Sequence, residues 1–310
     1  MADNRYDRLV EKLDTMALPQ VDYAKYYEQN HSDNAKVKRP VDFIDEIFNR
    51  LNGVHKMRGI PLPWGKTHEQ IRFRDGEVTM WSGYNGHKKS MLLGYVSLGF
   101  IRSEQKVCVI SLEMPPAETF VRMFYQATGR AENERDAEDI DKFFVMTDSR
   151  LWLYDHVGNI SPDRVYGVMF YAAKELGVKQ FIVDSLMKII DGEQGVEVMN
   201  AQKDFVTRLC AIAIELNVHI HFVHHTKKPD NENKPASRYD AKGSGAISDN
   251  IHNSIIVWSN KDKENTSVPD TVMICDKQRN GEWEGQIPLW FRPECVSFVS
   301  NPTDTAWRWL

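Results

Sequence analysis

Residues 83–90 have the types and spacing of a phosphate-binding loop. In such a loop, backbone N–H groups and a helix N-terminus surround an anion, a lysine reaches the outer phosphates and a hydroxyl binds Mg²⁺. If Lys88 were the phosphate lysine, Lys89 would replace the metal-binding hydroxyl, so we assign these roles to Lys89 and Ser90. The residues expected to bind the nucleotide are Gly83, Asn85, Gly86, His87, Lys88, Lys89, Ser90 and Met91.

One position departs from the pattern, because Lys88 stands where a phosphate-binding loop has its second glycine. The glycine lets the backbone turn tightly around phosphate, and a side chain there costs on the order of 1–3 kcal/mol in strain. The ammonium group of Lys88 could offset part of this strain by meeting phosphate. The sequence therefore leaves open whether the protein hydrolyses a nucleotide or only binds it.

Two acidic residues follow apolar runs of strand length. Glu113 comes after residues 106–112, and Asp184 ends the run 180–184. In open parallel sheets, ligands bind beyond the carboxyl ends of the strands, so we expect both acids beside the phosphate loop. Asp184 fits the role of holding Mg²⁺, and Glu113 fits a base that orients and deprotonates water. Taken singly, each could also be a strand-terminal acid that faces solvent.

The flanking elements predict an α/β fold with a mostly parallel sheet and helices on both faces. Strand-like runs alternate with segments of helical periodicity. The strand-like runs are 77–82, 106–112, 151–154, 180–184 and 218–223, and the helical segments are 91–96, 162–176 and 200–216.

The apolar pattern of residues 41–48 predicts a helix packed on a core. We therefore divide the chain into an N-terminal arm, 1–39, and an α/β domain, 40–310, that contains the phosphate loop. Within the arm, residues 6–13 have helical spacing. The arm is either a solvated tail or a helix that packs on a neighbouring subunit.

Composition and charge limit the class of protein. A net charge of -5 argues against a broadly basic surface, so any contact with nucleic acid must be local. No apolar run approaches the ~20 residues that span a bilayer, and the first residues have no signal-peptide core. Four scattered cysteines without C-x-x-C spacing indicate neither zinc nor disulfides. These features favour the cytoplasm and predict no membrane partner.

A histidine cluster and a basic stretch surround residue 225. His219 and His221 would share one face of a strand, but no carboxylate at usable spacing completes a zinc site. The basic stretch is either a solvated loop or a local binding surface for the phosphates of a nucleic acid. Glycines there would let backbone N–H groups approach those phosphates. The expected DNA-binding residues are Lys227, Lys228, Lys234, Arg238, Lys242, Gly243 and Gly245.

The order of these motifs resembles that of the DnaB-type hexameric replicative DNA helicases and the helicase half of phage helicase-primases. Residues 111–115 look like the motif whose Glu is the catalytic base, and residues 182–186 look like the metal-binding strand. Residues 223–230 are similar to a motif of the phage branch, which implies that His225 senses the γ-phosphate.

Two later segments extend the resemblance, which covers roughly residues 40–310. Residues 240–246 are similar to the loop that touches single-stranded DNA, and residues 277–281 match the motif whose Arg acts on a neighbour's nucleotide. By this resemblance Arg279 is the finger residue, and the candidate catalytic residues are Glu113, Arg279, Lys277 and His225. No zinc-binding or primase segment is recognised.

The resemblance implies a RecA-like P-loop ATPase that binds ATP, or another NTP, with Mg²⁺ between the subunits of a hexameric ring. It further implies 5′ to 3′ travel on single-stranded DNA, and a separate primase or loader as partners. Repeated around such a ring, the basic stretch would line a channel for the phosphates of a single strand. The size suggests a phage-encoded protein that acts in the host cytoplasm. Two alternatives stay open at this point: a recombinase or KaiC-like ATPase, and a DNA-binding ring whose hydrolysis Lys88 impairs.

Overall fold

This computed structural model describes residues 20–30, 39–52, 59–190, 195–226, 235, 245–261 and 269–310. Its strands are β1 (Ile60–Pro61), β2 (Arg72–Phe73), β3 (Val78–Gly83), β4 (Val107–Ser111), β5 (Leu151–Leu153), β6 (Gln180–Asp184), β7 (His219–His225), β8 (Asn253–Ser259), β9 (Thr271–Gln278), β10 (Gly285–Arg292) and β11 (Ser297–Val299). Its helices are α1 (Tyr23–Asn30), α2 (Ile44–Leu51), α3 (Lys89–Arg102), α4 (Pro116–Thr128), α5 (Ala137–Thr147), α6 (Pro162–Glu175), α7 (Val196–Leu216) and α8 (Gly245–Asn250).

A sheet of nine strands carries the site, in the order β11-β10-β9-β8-β3-β7-β6-β4-β5. The strands from β8 to β5 pair in parallel. The strands β9, β10 and β11 extend the sheet in antiparallel fashion beside β8. The predicted α/β fold with a mostly parallel sheet is therefore confirmed.

Helices cover both faces of the parallel part of this sheet, as predicted. Successive residues of a strand point to opposite faces, so Met80 packs in one core and Trp81 in the other. The first core contains residues of α6 and α7, including Phe170 and Phe205, and the second contains residues of α3, including Leu92. Because β3, β4 and β6 are buried along their whole length, they read as nearly continuous apolar runs.

The first helix packs closely on the domain. Helix α1 lies on α6 through Tyr23, Tyr26 and Tyr27, and a Cβ at Gly167 would lie 1.7 Å from the carbonyl oxygen of Tyr23. Helix α1 therefore packs on its own chain. The helix predicted at residues 6–13 lies outside the described residues.

Helix α2 forms where a helix was predicted, but the expected packing on a core is wrong. Apolar residues of the segment 41–51 are exposed, with Phe48 58% and Leu51 77% exposed. The periodicity correctly predicts an amphipathic helix, but periodicity alone cannot say which surface covers the apolar face. In the single chain that face is open to solvent.

His219 and His221 are buried between aromatic rings and are hydrogen-bonded. The Nδ1 of His219 lies 2.6 Å from the carbonyl oxygen of Arg74, and the Nδ1 of His221 accepts from Trp81 Nε1 at 3.1 Å. Burial lowers the pKa of His219 to about 4 and the pKa of His221 well below its usual value. Both rings are therefore neutral components of the core. Among the described residues, no three His, Cys, Asp or Glu side chains form a group that could hold a metal.

Within the described ranges, no helix is long and apolar enough to cross a membrane.

Candidate functional site

The phosphate loop runs from the end of β3 to the start of α3. Gly83 has φ 147°, and a Cβ there would lie 2.3 Å from the carbonyl oxygen of Val257 in β8. Gly86 has φ 76°, which also favours glycine. Both loop glycines are therefore required by backbone conformation, and Gly83 also by the close approach of β8.

Lys88 has the left-handed backbone conformation that the missing glycine would supply, with φ 59° and ψ 20°. This conformation costs roughly 1–2 kcal/mol for a residue with a side chain. The ammonium of Lys88 lies 4.7 Å from the ring centroid of Phe291 in β10. Such a cation–π contact contributes about 0.5–1 kcal/mol at an exposed site, so it offsets part of the strain. The lysine thus adopts the backbone conformation for which glycine is usually needed.

Lys89 is 5% exposed, and its ammonium points back onto the loop. Its Nζ donates to the carbonyl oxygens of Gly83, at 2.9 Å, and Tyr84, at 2.8 Å. Burial lowers the pKa of Lys89 to about 8, although the carboxylates of Asp184 and Glu113 act in the opposite direction. These bonds hold a cation beside the loop, where a bound phosphate would meet it.

Asp184 and Ser90 provide oxygen atoms for a metal. Asp184 ends β6, is 5% exposed and is hydrogen-bonded to Ser90; burial raises the pKa of its carboxyl above the usual value. Its Oδ1 is buried without a hydrogen-bond partner in the part of the chain that the structure describes. Because Mg²⁺ binds carboxylate and hydroxyl oxygens, this pair fits that ion.

Glu113 lies near Asp184, because Ser111 of β4 pairs with Asp184 of β6. Its Oε1 accepts from Ser185 Oγ at 2.6 Å and lies 3.4 Å from His225 Nε2. The bond with His225 lowers the pKa of Glu113 to about 2, with further help from Ser185 and against the effect of burial. Glu113 is therefore ionised at neutral pH, and in this conformation it is better suited to orienting water than to removing its proton.

Arg279 and Lys277 lie near the N-terminal ends of the parallel strands, whereas the phosphate loop lies at their C-terminal ends. Gln278, the last residue of β9, pairs with Asn253 of β8, and Asn253 pairs with Thr79 near the start of β3. From Thr79 to the phosphate loop the strand rises roughly 13 Å, at about 3.3 Å per residue. The structure thus separates these two cations from the group that it brings together at the loop: Lys89, Ser90, Asp184, Glu113 and His225.

Both cations contact the end of helix α8. Arg279 is exposed, and its Nη2 donates to the carbonyl oxygen of Asp249 at 2.7 Å. Lys277 Nζ donates to the carbonyl oxygens of Ser248 and Asp249. Carbonyl groups at a helix C-terminus have no partner within the helix, so cations are favoured there.

The other predicted nucleotide ligands have different surroundings. His87 is buried, and its Nδ1 accepts from the backbone N–H of Ser259, so its imidazole ties the loop to β8. Asn85 is exposed on the loop, and Met91 packs against the core beneath α3.

Among the predicted DNA ligands, Gly245 begins helix α8. The remaining ones lie outside the described residues, namely Lys227, Lys228, Lys234, Arg238, Lys242 and Gly243.

Sequence reasoning missed two residues that contact the site. Ser185 bonds to Glu113, and its place directly after Asp184 could have suggested it. Phe291 contacts Lys88, but nothing in the sequence pairs a phenylalanine of the last strands with the phosphate loop. That contact depends on the antiparallel extension of the sheet.

The chain belongs to a family described as AAA domain, whose model matches residues 72–231. That range contains the phosphate loop, Glu113, Asp184 and His225. The solved structures that share the fold include two that are described here. The "ATPase Domain of G40P" has a TM-score of 0.73 at 16% identity, over 86% of this chain and 99% of that one.

The second solved structure is titled "The Structure Of A DnaB-Like Replicative Helicase And Its Interactions With Primase". Its TM-score is 0.67 at 14% identity, over 96% of this chain and 75% of that one. The predicted resemblance to DnaB-type helicases is thereby confirmed at the level of the fold. No curated protein matches the sequence.

Proposed function

We propose that this protein is an ATPase that assembles as a ring, translocates on single-stranded DNA and unwinds duplex DNA. The observation that carries the proposal is the separation of the site into two parts. Lys89, Ser90 and Asp184 lie at the C-terminal ends of the parallel strands, whereas Arg279 is exposed near their N-terminal ends. An arginine in that place can complete a nucleotide site only if a neighbouring subunit supplies the nucleotide.

The residues around the phosphate loop support hydrolysis of a nucleoside triphosphate. The ammonium of Lys89 would exchange its two carbonyl partners for phosphate oxygens. Ser90 and Asp184 would hold Mg²⁺, which supplies positive charge against the phosphates. Glu113 would orient the attacking water, and His225 holds the carboxylate of Glu113 in place. Phosphoryl transfer needs little from the protein beyond positioning and charge stabilisation.

Arg279 would supply the remaining positive charge from the next subunit. Its guanidinium is always protonated and presents a planar set of donors to phosphate oxygens. In this mechanism the bond from Arg279 to the carbonyl of Asp249 is exchanged for a bond to phosphate. Hydrolysis would then require assembly.

Helix α2 and the turn before it support assembly. Their exposed apolar face would be buried against a second copy of the chain, because a soluble protein seldom leaves such a continuous stripe uncovered. The number of subunits that we propose, six, follows the resemblance to DnaB-type helicases. The residues of this face are Val41, Phe43, Ile44, Ile47, Phe48 and Leu51.

The proposed DNA-binding stretch lies in the chain between two elements that contact proposed catalytic residues. The basic stretch 227–242 connects β7, which ends at His225, with α8, which Arg279 contacts. DNA bound by this stretch would therefore act on segments next to both residues. We propose that this connection couples DNA binding to hydrolysis.

The test is DNA-stimulated ATP turnover by the purified protein, followed by unwinding of forked duplexes with 5′ or 3′ single-stranded tails. Arg279→Ala should remove turnover while preserving nucleotide binding. Arg102→Ala is a matched control, since Arg102 is also exposed and also contacts a backbone carbonyl. Strand exchange without unwinding would indicate a recombinase. Nucleotide binding without turnover would indicate a ring that Lys88 has disabled.

A further inference from the structure

The turn that carries Arg279 is anchored on its N-terminal side. Gln278 is buried, and its Nε2 donates to the carbonyl oxygens of Gln70, at 2.9 Å, and Trp283. A Cβ at Gly281 would lie 2.5 Å from Gln278 Oε1, so the turn closes tightly over this amide. Arg279 itself is exposed between these fixed neighbours.

A buried carboxylate anchors the turn on its C-terminal side. Asn280 donates from Nδ2 to Oε1 of Glu77 at 2.8 Å, and Glu77 is 3% exposed. The other oxygen of Glu77 accepts from Asn253 Nδ2 at 3.0 Å, and the guanidinium of Arg74 lies 3.8 Å from Glu77. The acceptor is therefore held in place independently of Asn280.

The bond between Asn280 and Glu77 is not the only contact that holds Glu77 against the neighbouring strand. Asn253 of β8 already joins Glu77 to the neighbouring strand, and Arg74 balances its charge. Asn280 is an exposed residue of the turn, yet its amide is committed to a buried oxygen. The effect of the bond is to fix the backbone beside Arg279.

We propose that Glu77 and Asn280 are positioning residues for Arg279, so that its guanidinium is presented to a neighbour's nucleotide in a fixed direction. The proposal rests on the proposed function, in which Arg279 acts between subunits. Glu77 directly precedes β3, and β3 ends at Gly83 of the phosphate loop. One strand thus joins the phosphate loop of its own subunit to the anchor of the arginine that serves the next.

The first expected effect is a separation of kcat from nucleotide affinity. Asn280→Ala should lower kcat about tenfold or more, since misplacement by about 1 Å can cost on the order of 100-fold. The nucleotide Kd should stay the same, because the residues of the phosphate loop are untouched. Asn301→Ala is the matched control, because Asn301 is an exposed residue whose amide bonds to the nearby Asp304. It should leave both constants unchanged.

Reversing the direction of the hydrogen bond provides a rescue. Asn280→Asp places a second carboxylate against Glu77 and should lose as much activity as Asn280→Ala. Adding Glu77→Gln supplies an amide that can donate to the new carboxylate while its oxygen still accepts from Asn253. The double variant should recover most of the kcat, which a general loss of stability would not allow.

Mixed rings show on which subunit Asn280 acts. Lys89→Ala subunits have an intact Arg279, and Arg279→Ala subunits have an intact phosphate loop, so mixing the two should restore turnover. Adding Asn280→Ala to the Lys89→Ala subunits should lower the restored turnover about tenfold or more. Adding it to the Arg279→Ala subunits should leave the restored turnover unchanged.

The outcomes separate the two proposals. If the simple mixture restores no turnover, Arg279 does not act between subunits and the proposed function fails. If the mixture restores turnover and the subunit that carries Asn280→Ala makes no difference, the positioning role of Asn280 is refuted. Failure of the reversed pair to recover activity would count against Glu77 as the anchor.

Discussion

Raising the pH from 7 to 9 should weaken nucleotide binding about tenfold, because Lys89 loses its proton within that range. Burial lowers the pKa of this lysine to about 8 in the free protein. If only the ammonium form binds phosphate, the apparent Kd is multiplied by one plus ten to the power of pH minus pKa. That factor is about 1.1 at pH 7, about 2 at pH 8 and about 11 at pH 9, and the last corresponds to about 1.4 kcal/mol.

The sign of the effect follows from the surroundings of Lys89. Burial disfavours the charged form, and the carbonyl oxygens of Gly83 and Tyr84 only partly replace water. A bound phosphate is negative and raises the pKa of Lys89 again. Above pH 8, binding must therefore take up a proton, whereas at pH 7 the proton is already present.

The assay is a titration with a fluorescent nucleotide at pH 7, 8 and 9, with Mg²⁺ at saturation. Lys89→Arg is the control, because a guanidinium stays protonated throughout this range. The variant should bind more weakly but with little dependence on pH. Calorimetry in buffers with different heats of ionisation should detect proton uptake when the unsubstituted protein binds nucleotide at pH 9. An equal pH dependence in both proteins would refute the assignment, since the titrating group would then not be Lys89.

Two further predictions concern Lys88 and the buried His219. In a double-mutant cycle on unfolding free energies, Lys88→Met and Phe291→Leu should show a coupling of about 0.5–1 kcal/mol, which is the size of an exposed cation–π contact. The folded pKa of His219 is about 4, below its usual 6.5, so the unfolded chain binds more protons and stability falls as the pH drops from about 6.5 to 4. Between pH 7.5 and pH 5 this group should account for about 2 kcal/mol, and urea denaturation of His219→Gln should show a correspondingly flatter pH dependence.

Each of these predictions has a result that contradicts it. Additive effects of Lys88→Met and Phe291→Leu would mean that the ring and the ammonium do not stabilise each other. For the histidine, His156→Gln is the control, because His156 lies in a loop and is only partly buried. If both histidine variants flatten the pH dependence equally, the acid sensitivity does not come from the buried core.

The sequence by itself determined the half of the site that lies at the phosphate loop. The strand, loop and helix that form this loop are adjacent in the chain, so their spacing is visible in the residues 77–96. Glu113 and Asp184 were predictable for a different reason. Parallel strands end at a common edge of the sheet, so two acids at the ends of two such strands must lie near each other.

The periodicity of apolar residues predicted where helices form but not which surface packs against their apolar faces. A helix was predicted over residues 41–48 and α2 spans Ile44–Leu51, yet the packing of this helix was predicted wrongly. An amphipathic pattern states that one face is apolar. It does not state whether that face packs on the same chain or on another copy.

The tertiary structure alone decided which residues meet across long stretches of sequence. Lys88 contacts Phe291, and Asn280 contacts Glu77, because β9 and β10 run antiparallel beside β8. The direction of these strands also sends Arg279 to the edge far from its own phosphate loop. Such pairings depend on strand order and register, which are set by the packing of the whole sheet and leave no local pattern in the sequence.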